Sequence, residues 1–180
     1  MQGDPNIGRR ATYAEYVQDL IRSDEQWRAH DALYTPSVTT YAFYDADGNG
    51  QDELLIFYSG YIGSIVGMKD GLTDEGKSYH LTLCEDNVFI HWPTEANGRD
   101  EYWYHIFRFA NNGDPVFSNP KEQSIVRLKK DADGSWWRTS STGHYAEFDT
   151  RITEEEAQSI LNSYAPVQLE THPLSEFREQ

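Results

Sequence analysis

The spacing of apolar and polar residues divides the chain into two helical stretches enclosing a long run of strands. The first helix spans Thr12 to about Arg28, where Tyr13, Tyr16, Val17, Leu20 and Ile21 recur at helical spacing. Thr12 with Glu15 three residues on is a capping box, in which each side chain satisfies a free backbone N–H at the helix start. Trp27 is placed to extend the apolar stripe. The second helix spans Thr153 to Tyr164, opened by the capping box of Thr153 and Glu156, with Ile152 and Ala157 at the staple positions. Glu154, Glu155 and Glu156 set negative charge against the positive end of the helix dipole. Ala157, Ile160, Leu161 and Tyr164 form its buried stripe, and Pro166 stops it.

Between the helices the apolar period changes to two. Val38 to Tyr44 and Leu54 to Tyr58 read as strands around the polar loop Asp45 to Gln51. Gly60, Gly63, Gly67 and Gly71 then interleave with Tyr61, Ile62, Ile65 and Val66, which predicts bulges or close backbone approach. This stretch lacks the Lys-Ser/Thr ending of a phosphate loop. Tyr79 to Cys84 and Val88 to Trp92 flank Glu85-Asp86-Asn87. Glu101 to Phe109 is a long aromatic strand between turns at Asn97-Gly98 and Asn111-Asn112-Gly113. Ser124 to Lys129 and Ser135 to Thr139 flank Asp131-Ala132-Asp133-Gly134.

About eight strands therefore read as an antiparallel meander, with no intervening helix of the kind a parallel sheet needs. The expectation is an α+β domain: a strongly bent, mostly antiparallel β-meander, even barrel-like, packed against the N-terminal and C-terminal helices. No repeat or linker breaks the chain, so 1–180 is expected to be a single domain, with 1–11 flexible and 168–180 a polar tail that drapes or frays. The length of 180 residues suffices for one substantial core.

Charge narrows the partners. Fifteen Lys and Arg against thirty Asp and Glu leave a net charge of −15, which argues against nucleic acid or an anionic membrane surface and permits cations. No run of about 18 apolar residues exists to form a transmembrane segment. The lone Cys84 excludes an intrachain disulfide, and no cluster of Cys or His has zinc-ligand spacing. Cys84 lies in a strand-like run and is expected to be a buried, inert thiol. The six histidines are scattered, and neither His-Glu-x-x-His nor Gly-x-Ser-x-Gly occurs. Carboxylates are too numerous to single out an acid/base pair, so the expectation is a non-catalytic protein. Met1 to Asn6 contain no apolar h-region, which fits either a cytoplasmic chain or a mature form whose leader was removed.

The segment that carries chemistry is Asp45-Ala46-Asp47-Gly48-Asn49-Gly50-Gln51-Asp52-Glu53. Calcium takes about six to eight oxygens at roughly 2.3–2.6 Å. In a tightly wound loop, alternate residues turn their oxygens to one centre. Asp45, Asp47 and Asn49 would donate side chains, Gln51 its backbone carbonyl, and Glu53 the closing carboxylate. Gly50 permits the sharp turn that brings Gln51 inward. An EF-hand would place a bidentate Glu at Ile56 and continue as a helix, whereas this chain continues as the strand Leu54-Leu55-Ile56-Phe57, so the loop is not an EF-hand. The bland reading is a polar hairpin turn, but a turn needs neither three carboxylates together nor both glycines. Water would complete the shell, and Ca²⁺ is preferred to Mg²⁺ because the ligands are many and all oxygen.

The stretch Tyr41 to Ile56 resembles the aromatic-x-x-Tyr-Asp-x-Asp-Gly-Asp/Asn-Gly-x-x-Glu-Leu-Leu/Ile signature of uncharacterised secreted or lipid-anchored proteins of Gram-positive bacteria. It is also similar to the calcium loops of FG-GAP and dockerin-type modules. The resemblance implies a secreted or cell-surface protein with Asp45, Asp47, Asn49, the Gln51 carbonyl and Glu53 as metal ligands. Two departures stand out. Asn49 replaces the commoner Asp, removing a charge, and no lipid-attachment Cys lies near the start. A propeller is not expected, because the loop occurs once. Asp131 to Ser135 echoes the first positions but has no closing carboxylate, so it reads as a hairpin turn.

A second reading comes from aromatic residues, 14% of the chain. Neighbours on a strand point to opposite faces, so one of Trp103/Tyr104 and one of Trp136/Trp137 should face away from the core. Such rings would suit a carbohydrate- or peptide-binding module, with a glycan or peptide partner. A third reading, a hydrolase, requires a pocket with two convergent carboxylates or a histidine beside a nucleophile.

Overall fold

The structure, a computed structural model, describes residues 12–30, 39–48, 50–68, 72–93, 101–108, 123–140 and 147–177. The first helix, α1 (Tyr13–His30), begins where its cap predicts: the Glu15 N–H donates to Thr12 Oγ1 at 3.2 Å. It runs two residues past the expected end. Tyr16 and Val17 are buried against Tyr41, Leu54, Ile56 and Val66, with Leu20 and Ile21 at the margin.

The strands are β1 (Thr39–Tyr44), β2 (Glu53–Tyr58), β3 (Tyr61–Met68), β4 (Leu72–Cys84) and β5 (Val88–His91). They continue as β6 (Tyr102–Arg108), β7 (Gln123–Lys130), β8 (Trp136–Thr139) and β9 (Phe148–Ile152). Helix α2 (Glu154–Asn162) follows, and β10 (His172–Pro173) comes last. All pair antiparallel in the order β10-β1-β2-β3-β4-β5-β6-β7-β8-β9. The α+β expectation therefore holds in its coarse form, with ten strands rather than about eight. The additions are Phe148–Ile152 and His172–Pro173. The sheet is also open. Among the described residues β10 and β9 lie at its two edges and do not pair with each other.

Residues directly opposite on neighbouring strands share a face. Leu55 stands opposite Ile65, Ile62 opposite Leu81, and Leu83 opposite Phe89, which stands opposite Phe107; these residues form one buried cluster, which also takes in Ala46. The alternate residues of the same strands look the other way. Leu54, Ile56 and Val66 meet α1, while Ile90, Ile106, Leu128 and Trp136 meet Ala157 and Leu161 of α2. α2 begins with the complete capping box: the Glu156 N–H donates to Thr153 Oγ1 at 3.1 Å, and the Thr153 N–H donates to Glu156 Oε2 at 2.7 Å. Ile152 and Ala157 join one cluster, as a staple does.

Strand β4 changes partners along its length. Residues 72–81 pair with β3 and 81–84 with β5, and His80 between them adopts a left-handed φ of 77°. The glycine-rich run behaves as its composition predicts. The β2–β3 and β3–β4 registers shift, and a Cβ on Gly63 would lie 2.2 Å from Tyr58 Cδ2. After α2 the chain drapes back. The Glu85 N–H donates to Ala165 O and the Val167 N–H to Leu83 O, and Leu174 is buried beside α1's partners. The turns expected at Asn97-Gly98 and Asn111-Asn112-Gly113, the segment 1–11 and the side chain of Trp27 lie outside the described residues.

Candidate metal centre

The register of β1 on β2 ends at Tyr44 opposite Glu53, so the loop between them begins and ends on a paired rung. Gly48 and Gly50 hold φ of 73° and 88°. A Cβ on Gly50 would meet nothing, so conformation rather than space calls for glycine there. Ala46 is fully buried among Leu55, Leu83 and Phe89, which anchors the loop to the central cluster.

Asp45, Asp47 and Glu53 each present one carboxylate oxygen, and these three oxygens lie within 4.8 Å of one another. Asp47 and Glu53 are each only 2% exposed. Two oxygens each about 2.4 Å from one calcium ion can be no more than about 4.8 Å apart, and the three carboxylates stay within that bound. The donor set, hard oxygen with three formal charges, fits it too. Glu53 Oε2 accepts the Ala46 N–H at 2.7 Å, and Asp45 Oδ2 accepts the Gly50 N–H at 2.9 Å. The Glu53 carboxyl is pushed up from 4.5 to about 7, first by burial and then by the Asp47 charge, with Asp45 adding to it. Backbone N–H groups of Ala46 and Asp47 oppose that rise. A divalent cation would supply the positive charge that such a trio lacks.

Of the five residues singled out by spacing, the structure brings three together. Gln51 is exposed on the loop, and Asn49 lies outside the described residues. Nothing in the spacing of the loop announces Asn87. Its Nδ2 donates to Asp45 O at 3.1 Å from 42 positions away, tying the loop to the β4–β5 turn. Asp86 and Asn87 both hold left-handed φ, 57° and 55°, which Asn and Asp tolerate best after glycine. That preference marks a turn and says nothing of its distant partner.

The other singled-out residues resolve simply. Asp131 to Ser135 is a turn, with the Gly134 N–H on Asp131 O and the Ser135 N–H on Asp133 Oδ1, both at 2.9 Å. The Ser135 hydrogen bonds hold the Asp133 carboxyl below its ordinary range. Cys84 is buried, and burial pushes its thiol up to about 11, so it is not a poised nucleophile. Trp136 is buried at 2% exposure while Trp103 and Tyr102 stand at 43% and 41%. No helix among the described residues is long and apolar enough to cross a membrane. Compared with known proteins, the chain matches no family model, no curated protein and no solved structure.

Proposed function

We propose that the chain is a non-catalytic, extracytoplasmic calcium-binding protein in which the ion stabilises the 45–53 strand-loop-strand. The observation that carries this reading is the convergence of the Asp45, Asp47 and Glu53 oxygens within 4.8 Å, two of the three residues being buried. The Asn49 side chain and the Gln51 carbonyl would complete the set with water. The ion's work here is structural. It neutralises carboxylates that repel one another, and it fixes the turn between Tyr44 and Leu54. The secreted or cell-surface setting rests on affinity. Calcium sites of extracellular modules bind at about 10⁻⁴–10⁻³ M, which suits calcium-rich surroundings. The bent, barrel-like shape belongs to the same reading. The left-handed His80 and the contact from Asn87 to Asp45 favour a sheet that turns across itself, bringing the loop onto the β4–β5 turn.

Calcium that binds only the folded chain raises its stability by about 1.4 kcal/mol at ten times the dissociation constant. Melting curves with millimolar calcium and with chelator should therefore separate, and Asp45→Ala should bring them together. Coincident curves for the native chain would overturn the assignment.

A further inference from the structure

One peptide group of the loop is held from both ends. The Asp45 carbonyl accepts Asn87 Nδ2 at 3.1 Å, and the N–H of the same peptide, on Ala46, donates to Glu53 Oε2 at 2.7 Å. A trans peptide is planar, so its C=O and N–H point in opposite directions and turn as one piece. Whatever fixes the Asp45 carbonyl therefore also aims the Ala46 N–H. That N–H meets a carboxylate only 2% exposed, whose neighbours are the carboxylates of Asp45 and Asp47.

Asn87 is itself fixed by bonds that do not involve the loop. Cys84 pairs with Val88 across the turn, and the Val88 N–H donates to Glu85 O. Arg108 Nε, from β6, donates to Asp86 O at 3.0 Å, and the Glu85 N–H donates to Ala165 O at 2.9 Å. The turn is thus braced by the next strand and by the segment after α2. Within it, Asn87 holds a φ of 55°, a conformation that glycine adopts at no steric cost and that hairpin loops commonly give to glycine. Glycine would serve the hairpin by itself. The amide of Asn87 acts outside the turn, on Asp45, 42 positions away.

We propose that Asn87 is a positioning residue of the metal centre, which sets the plane of the Asp45–Ala46 peptide and through it keeps the Glu53 carboxylate turned toward Asp45 and Asp47. The proposal rests on the calcium reading given above. A hydrogen bond to the carbonyl also polarises the peptide and strengthens its N–H as a donor to Glu53. Such support counts at this site because three carboxylates repel one another until a cation arrives, and a loop that must gather them during binding holds the ion less well. Partners that orient a ligand without touching the ion typically contribute about tenfold or more to metal affinity.

Asn87→Gly tests this, because it keeps the left-handed turn and removes only the amide. Calcium titration of the full chain, followed in amide NMR spectra, should show affinity about tenfold weaker in the variant. Hydrogen exchange measured with chelator should run about tenfold faster at the Ala46 N–H, while the amides of β7 and β8, several strands away, keep their native rates. Unchanged affinity in the variant overturns the proposal, and binding by the native chain in the same experiment keeps the calcium reading in place. Unchanged exchange at Ala46 overturns it too. So does equal acceleration in β7 and β8, which would mark a general loosening of the sheet. A native chain that takes up no calcium overturns both readings together.

Discussion

Replacing Glu53 by Gln should change the sign of the loop's effect on stability between acid and alkaline solution. In the folded chain the Glu53 carboxyl titrates near 7 against 4.5 for an unperturbed one, because it is buried beside Asp47 and Asp45. Between those two values the folded protein holds a proton that the unfolded chain has released. Stability therefore falls as pH rises through this window, and above about 7 the loss is complete. At about 1.4 kcal/mol per unit, the shift sets an upper bound of roughly 3 kcal/mol, which the neighbouring carboxylates share. A Gln at this position keeps an oxygen for the Ala46 N–H and offers its amide hydrogens to Asp47, with no charge to lose. Urea denaturation from pH 4.5 to 8 with chelator should show the variant no more stable than the native chain at the acid end. At pH 8 the variant should be the more stable by about 1–3 kcal/mol. Calcium should reverse the ranking at pH 8, because it binds the ionised carboxylate and not the amide. A difference between the two proteins that stays flat across this pH range would refute the account of a charge-starved trio.

Two further substitutions test the frame that holds the loop. Gly63→Ala sets a methyl group against the Tyr58 ring, 2.2 Å from Cδ2, and should destabilise by about 1–3 kcal/mol in urea denaturation. The penalty should shrink when Tyr58 is also reduced to Ala. Thr153→Ala removes the Oγ1 that accepts the Glu156 N–H at the start of α2, leaves the backbone N–H bond to Glu156 in place, and should cost about 1 kcal/mol, read as a drop in melting temperature.

What could be read from the chain is what neighbours decide among themselves. Both helix starts are legible because a cap and its partner sit three residues apart, as Thr153 and Glu156 do. The loop is legible for the same reason, since Asp45, Asp47 and Glu53 fall within nine positions and the fold keeps them together. Two strands escaped. Phe148–Ile152 reads Phe-Asp-Thr-Arg-Ile, too polar for an apolar period, and its pairing comes from Trp136 to Thr139 on the neighbouring strand. His172–Pro173 contains a proline, which the edge of a sheet tolerates and a central strand does not. The place of this strand beside β1 was beyond reach, because Tyr41 and His172 lie more than a hundred residues apart. The Asn87 bond to Asp45 O belongs to the same class of long-range facts.

The order of the strands bears on how the chain is made. Each of β1 to β9 lies beside the next one in sequence, so hairpins can form one after another as residues leave the ribosome. The exception is the pairing of Tyr41 with His172 and Thr40 with Pro173. Until that late segment has been synthesised, the outer edge of β1 offers unpaired main-chain groups to any passing strand, which leaves the nascent protein open to aggregation throughout that interval.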